Sequence, residues 1–438
     1  MANPNGTTYP PAIQQVFDSL VIPRERLVKI SEDIEAELTQ GLKHGAQGSS
    51  IAMLPSYVPA LPTGKETGKY VAIDLSGKNL RILLLTLQGE GKEPSVTVNN
   101  YLVSNAIMKG TGEQLFNFIV NCLQKFLREF ELESANLPIG FVFSYPLRTA
   151  FDSFGSFALL LQEALELNMS TKAKINVVMN DTVGQLAAAA YKYGEDCVAA
   201  VVIAAILRTL RTQKKITKFD SKAAEYPQKK MVVVTEWEEF GNNGELNDVL
   251  TQFDREVDEN SVHKGKQLVD KLTGALYLGE LVRRILSQLI LDRYVFNGTP
   301  VEKLDQTDTF PTKFISEILS EEEGSYKTCR RICDELDVPN HGSNDYEIIR
   351  QICHLVTQRS SAIVAAAISA LLRHINRPNI KIGVGGALIQ FHPTYHELLK
   401  SQLNQLAPLN VEWELVAADE GSAKGAALTA AVVEKLGL

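Results

Sequence analysis

Residues Tyr70 to Leu87 read Tyr-Val-Ala-Ile-Asp74-Leu-Ser76-Gly77-Lys78-Asn79-Leu-Arg81-Ile-Leu-Leu-Leu-Thr-Leu, two apolar strand runs joined by a tight polar turn. A hairpin of this kind commits the chain to a sheet. Further on, Val177-Val-Met-Asn180-Asp181-Thr182-Val-Gly184 is a buried-strand run ending in Asn-Asp ahead of an Ala-rich helix. The remaining pattern alternates. Helical periodicity runs over Ile22 to Leu42, Glu113 to Glu131, Ala158 to Leu167, Thr182 to Tyr193 and, as one long helix, Lys266 to Asp292. Strand runs cover Ile139 to Ser144, Val198 to Ile206 and Ile380 to Gly386, while Glu302 to Glu323 reads as an acidic loop region and Glu420 opens a last helix. Such an order predicts an α/β fold with a mixed sheet covered by helices on both faces, in two lobes.

Composition narrows the function. A chain of 438 residues with 45% hydrophobic and 22% charged content has ample core for two domains. Its net charge of −8 argues against nucleic acid, which demands a basic face. No unbroken apolar run reaches the ~18 residues of a membrane span, and the start, Met1-Ala-Asn-Pro-Asn-Gly, is neither a signal peptide nor an amphipathic presequence. Five cysteines suit a reducing, cytoplasmic setting. Cys329, Cys333 and the pair Cys353-His354 lack the spacing of a zinc knuckle and are read as helix residues, so no metal site is expected there.

The chain resembles the hexokinases from about Arg24 to Glu434. The resemblance rests on an ordered series: Met53-Leu-Pro-Ser-Tyr, Pro62-Thr-Gly-Lys-Glu-Thr-Gly-Lys-Tyr, Gly112-Glu-Gln-Leu-Phe, Gly140-Phe-Val-Phe-Ser-Tyr-Pro, Asn180-Asp-Thr-Val-Gly, Thr235-Glu-Trp, Phe253-Asp-Arg-Glu-Val-Asp, Gly265-Lys-Gln, Tyr277-Leu-Gly-Glu-Leu-Val-Arg and His392-Pro. It implies the two-lobed, actin-like (RNase H-like) ATPase fold, with sugar and ATP meeting in a cleft. A small lobe is expected at residues 68–178, closed by the C-terminal helix 426–438, with a five-stranded mixed sheet within 70–145. A large lobe would hold 179–425, with residues 1–67 packed on it. The apolar N-terminal anchor that docks some animal hexokinases on mitochondria has no counterpart here.

The resemblance also assigns roles. Asp181 matches the base that takes a proton from the hexose hydroxyl attacking ATP. Ser144, Asn180, Glu236 and Asp270 match the groups that fix the sugar. Asp74, Ser76, Gly77, Lys78, Asn79 and Arg81 form the phosphate hairpin, and Gly385, Gly386, Gly421 and Ser422 the nucleotide end, where glycine admits phosphate to backbone N–H groups. Read from the residues alone, Asn180-Asp181 is equally a helix cap.

Five departures from the hexokinase pattern set an opposing expectation. Ser76 and Lys78 replace Gly and Thr of the hairpin. Ala204-Ala205-Ile206-Leu207-Arg208 replaces the Gly-Thr-Gly-x-Asn phosphate turn. The Thr-Lys-Gly sugar loop after Pro146 is absent. Val234 and Glu238 replace Asn and Gly around Glu236. Gly385-Gly386-Ala387 and Glu420-Gly421-Ser422-Ala423 replace Asp-Gly-Ser turns, and Asp270 is one methylene shorter than the pattern's glutamate. One lost preorganised contact costs ~3 kcal/mol of transition-state stabilisation. The departures together predict a folded hexokinase-like protein that has lost phosphorylation and serves a structural, regulatory or binding role, with protein partners or a larger assembly and glucose as a ligand. The alternative is an active ATP-dependent hexokinase using Mg-ATP, with Asp181 as base. Arg208 is a candidate for a charge-assisted pair with Asp181, Glu236 or Asp270.

Overall fold

The structure, a computed structural model, describes residues 9–58, 60–76, 78–89, 92–143, 152–168, 173–203, 207–212, 230–418 and 421–437. Gly77, Ser144, the segment just after Pro146, Ala204 to Ile206, the side chain of Arg208 and Glu420 lie outside this description.

Among the described residues, eleven strands build two sheets: β1 Leu54–Pro55, β2 Thr67–Ser76, β3 Asn79–Gln88, β4 Ser95–Leu102, β5 Pro138–Phe143, β6 Lys174–Met179, β7 Cys197–Val202, β8 Leu207–Thr212, β9 Lys230–Val234, β10 Asn379–Gly385 and β11 Glu412–Ala417. The first sheet runs β4-β3-β2-β5-β6, with β2 antiparallel to β3 and parallel to β5. It is the expected five-stranded mixed sheet, but its fifth strand lies beyond residue 145, in β6. The second runs β1-β9-β8-β7-β10-β11, parallel from β7 through β10 to β11 and antiparallel on the other side. Strand β2 is buried on both faces from Tyr70 to Leu75, as its unbroken apolar run requires of a central strand.

Helices Asp181–Tyr193 and Gly421–Leu436 pack against each other and against the first sheet. Their small residues share one core cluster with Tyr70 and Ala72 of the first sheet and with Cys197, Ala200 and Val232 of the second. The larger core surrounds helix Ser343–Ile375, which packs against helices Arg24–His44, Leu278–Leu291 and Tyr395–Leu406. By length and mean hydropathy this helix could cross a membrane although Gln358 and Arg359 break its apolar run, but 94% of its most apolar stretch is buried inside the fold. Inside this core Arg359 donates to Asp254 through Nη1 and Nη2 at 2.9 and 2.8 Å and to the Val249 carbonyl at 2.7 Å. Cys329 and Cys333 lie in helix Lys327–Glu335 and Cys353 in Ser343–Ile375, as expected, and all five cysteines are free and buried.

Three readings of the sequence need correction. Lys266 to Asp292 is two helices, Leu268–Thr273 and Leu278–Leu291, because Gly274 ends the first. The acidic stretch after Glu302 is largely helical, in Glu302–Asp305 and Thr312–Ser320; Phe314, Ile315 and Ile318 supply a buried stripe that the neighbouring charges concealed. A helix at Pro11–Ser19, seated through Ile13 and Phe17, precedes the expected first one.

The closest helix contact yields a test. A Cβ at Gly425 would lie 1.8 Å from the Gly184 carbonyl oxygen, backbone that cannot yield. Gly425→Ala is expected to destabilise by about 1–3 kcal/mol through overpacking. Gly112→Ala, whose nearest neighbour would be Phe116 at 3.8 Å, should be neutral or slightly stabilising. Denaturant melts of both variants check this, and equal midpoints would refute it.

Candidate active site

The Asn180-Asp181 motif sits where β6 gives way to helix Asp181–Tyr193. Asn180 has extended backbone, φ −78° and ψ 157°, and its Oδ1 accepts from the Thr182 N–H at 2.9 Å, so it caps the helix. Asp181 Oδ1 accepts from the same N–H at 2.7 Å and from Thr182 Oγ1 at 3.0 Å. The cap is real, and it also fixes the half-buried Asp181 carboxyl in place.

A second group of side chains gathers around Glu236. The buried β9 leads through Thr235 to Glu236, which takes the left-handed conformation, φ 54° and ψ 49°, uncommon outside glycine. The turn Trp237–Glu239 follows and buries both Trp237 and Glu238. Helix Leu268–Thr273 packs against this turn and carries Asp270. Asp270 Oδ1 is buried without a hydrogen-bond partner. A Cβ at Gly274 would stand 2.4 Å from that oxygen, so only glycine lets the helix end close over Asp270. The adjacent cation turns elsewhere: Lys271 binds Asp258 and the carbonyls of His263 at 2.6 Å and Lys266 at 2.8 Å. Burial pushes the Asp270 carboxyl up to about 7, against the weaker pull of Lys271. Glu238 is raised well above the carboxylate range, by burial first and then by the charge and hydrogen bond of Glu236, with Asp270 adding to it. Sequence reading singled out Glu238 only as a missing glycine; its inward position was not legible.

The phosphate hairpin forms a third group. Asp74 and Arg81 face each other across β2 and β3, and Ser76 pairs with Asn79 at the turn. Asp74 is 1% exposed; its Oδ2 accepts from Arg81 Nη2 at 2.8 Å and from Ser422 Oγ at 3.1 Å. Ser422 thus ties the start of the last helix to the hairpin. Ser76, Lys78 and Asn79 are exposed at its tip. Asp74 Oδ1 is buried and unpartnered, a hard oxygen donor of the kind Mg²⁺ takes alongside phosphate oxygens. The residues present fit an Mg-nucleotide there, although no cluster of three or more protein ligands exists among the described residues.

The nucleotide-end glycines converge on one residue that sequence reading missed. Gln185, one turn into the helix that begins at Asp181, is buried and donates from Nε2 to the Ala418 carbonyl at 3.1 Å. Ideal Cβ atoms at Gly385 and Gly421 would lie 2.1 and 2.2 Å from its amide. Gly386 follows at φ 105°, and Gly385 accepts from the Ile203 N–H at 3.0 Å. A buried amide in an otherwise apolar helix was the available signal.

The raised carboxyl of Asp270 gives a pH test. An unfolded aspartate titrates near about 3.9, so the stability linked to this group is complete below that value. It is lost as pH rises through about 7, the folded value. From about pH 5 to about pH 8 the wild-type melting temperature should fall relative to Asp270→Asn. A constant gap between the two would contradict the assignment.

Comparison with known proteins agrees with this arrangement. Two family models, both described as hexokinase, match residues 12–154 and 199–432. A hexokinase of Brugia malayi is 37% identical over 98% of this chain and 78% of its own length. A hexokinase of Schistosoma mansoni is 33% identical over 95% of this chain and 98% of its own. The human Hexokinase HKDC1 is 33% identical over 97% of this chain, which spans 48% of that relative. The solved Schistosoma mansoni hexokinase in complex with glucose superposes with a TM-score of 0.86 at 31% identity, covering 96% of this chain and 98% of that one. The fold is therefore the α/β, actin-like hexokinase fold, and the chain belongs to the hexokinase family.

Proposed function

We propose that this chain is an ATP-dependent hexose kinase, glucose being the first substrate to test, with Asp181 as general base. The observation that supports this best is the Asn180-Asp181 motif at the start of its helix, on the helix whose Gln185 holds Gly385 and Gly421. Relatives named hexokinase over nearly the whole chain favour activity over its loss. In this reading the hexose is oriented by Ser144, Asn180, Glu236 and Asp270. Its attacking hydroxyl passes its proton to Asp181, whose position at a helix N-terminus suits the anionic form. The phosphates lie along the hairpin and the Gly385, Gly386 and Gly421 turns. Asp74, steadied by Arg81 and Ser422, would hold the magnesium of Mg-ATP, which neutralises charge developing on the phosphates. The lobes we propose are residues 68–178 with 426–438, and 179–425. Five free thiols suit a cytoplasmic setting.

A second reading, a non-catalytic component, is favoured by two features. The hexokinase pattern has glycine where this chain has Glu238, and the sequence carries side chains at Ala204 to Ile206 where phosphate needs bare backbone. The two readings part on turnover. In a coupled assay with glucose and Mg-ATP the wild type should phosphorylate slowly, and Asp181→Ala should lower kcat by about 10²–10⁴-fold, the usual worth of a positioned base. Restoring Gly-Thr-Gly at 204–206 should raise kcat/KM. No turnover in the wild type, with glucose still raising its melting temperature, would establish the non-catalytic reading instead.

A further inference from the structure

Glu238 stands where the hexokinase pattern has glycine, and the fold turns its side chain inward. The residue is 8% exposed on the turn Trp237–Glu239, and its Oε2 is buried with no partner. Glu236 faces it from the same turn and Asp270 from the helix Leu268–Thr273 packed against that turn. The nearest cation in sequence on that helix, Lys271, is committed to Asp258 and two carbonyls. Two adjacent carboxyls with no cation between them among the described residues do not both ionise; they share a proton. The buried member keeps it, since burial penalises its charged form most.

We propose that Glu238 is a positioning residue of the sugar site: its neutral carboxyl donates a hydrogen bond to Glu236 and holds that carboxylate in one orientation toward the hexose. The role rests on the hexose-binding reading above. Glu236 leaves the strand in a left-handed conformation, and a charge-assisted hydrogen bond from Glu238 would fix its side chain there. With the proton in place the pair carries one charge and presents one ordered acceptor. Without it two like charges repel inside a buried turn, and Glu236 must swing away. Sugar binding therefore weakens on the alkaline side. Asp270 titrates in the same region, so the informative quantity is the difference between wild type and a Glu238 variant.

Glucose titrations by calorimetry on the full chain test this. Glu238→Gln keeps a donor that cannot titrate. It should bind glucose within about threefold of the wild type near pH 6 and lose the part of the alkaline weakening due to Glu238. Glu238→Leu keeps the volume without a donor and should bind about tenfold more weakly, the scale of one hydrogen bond to a charged group. Leucine binding as tightly as glutamate, with an unchanged pH profile, would overturn the proposal. Melting temperatures decide the case if the wild type binds no hexose, which would be a failure of the hexose-kinase reading alone. An unfolded glutamate titrates near about 4.3, so the stability linked to Glu238 is complete below that and is lost as pH rises. The wild type should then lose stability relative to Glu238→Gln between about pH 5 and about pH 8. A flat difference would show that no proton is held there.

Discussion

Backbone meets backbone where helices Asp181–Tyr193 and Gly421–Leu436 cross, and most of the site geometry depends on that contact. Gly184 and Gly425 approach until no Cβ fits between them. The first helix begins at Asp181 and carries Gln185; the second begins at Gly421 and Ser422, which reach Gln185 and Asp74 respectively. Asp181, the Gly385 and Gly421 turns and the Asp74 hairpin are thus referenced to one close contact between rigid rods. Alanines on both helices continue it into the core that touches both sheets.

Buried charge is handled in two ways in this molecule. Away from the site, buried ionic groups such as Arg359 and Arg283 are paired. Arg359 forks onto Asp254, and Arg283 donates from Nε and Nη2 to Glu280 at 2.6 Å each. Lys271 is enclosed by Asp258 and two carbonyls. Around Glu236 the pattern changes. Asp270 and Glu238 each keep a buried oxygen without a partner, and both are pushed toward the neutral form. Unsatisfied buried acceptors cost stability, and two of them sit here on one turn and on the short helix packed against it.

Much of this was legible in the sequence because strand runs and paired motifs are local. The hairpin at Asp74 and the Asn180-Asp181 cap could be read directly, since alternation, turn residues and capping act over a few positions. What stayed hidden was set by tertiary contact. Nothing near Gln185 in sequence says that it ends against Gly385 and Gly421. The glycine lost at Glu238 was visible, but whether glutamate there points to solvent or into the pocket depends on the packing of Leu268–Thr273. Gly274 lay inside a helical periodicity that concealed the break, and the stripe of Phe314, Ile315 and Ile318 was masked by charged neighbours.

The thiols give the fold an internal record of its own integrity. Cys122, Cys197, Cys329, Cys333 and Cys353 are all buried, and burial raises each above its ordinary value, Cys197 and Cys329 to about 12. Thiolate is the reactive form, so in the native state these sulfurs meet oxidants and alkylating agents as inert hydrocarbon-like atoms. They are spread over helix Gly112–Glu129, strand β7 and the helices around Ser343–Ile375. A molecule that acquires a label at any of them has opened in that region, and the position of the label tells which part of the core gave way first.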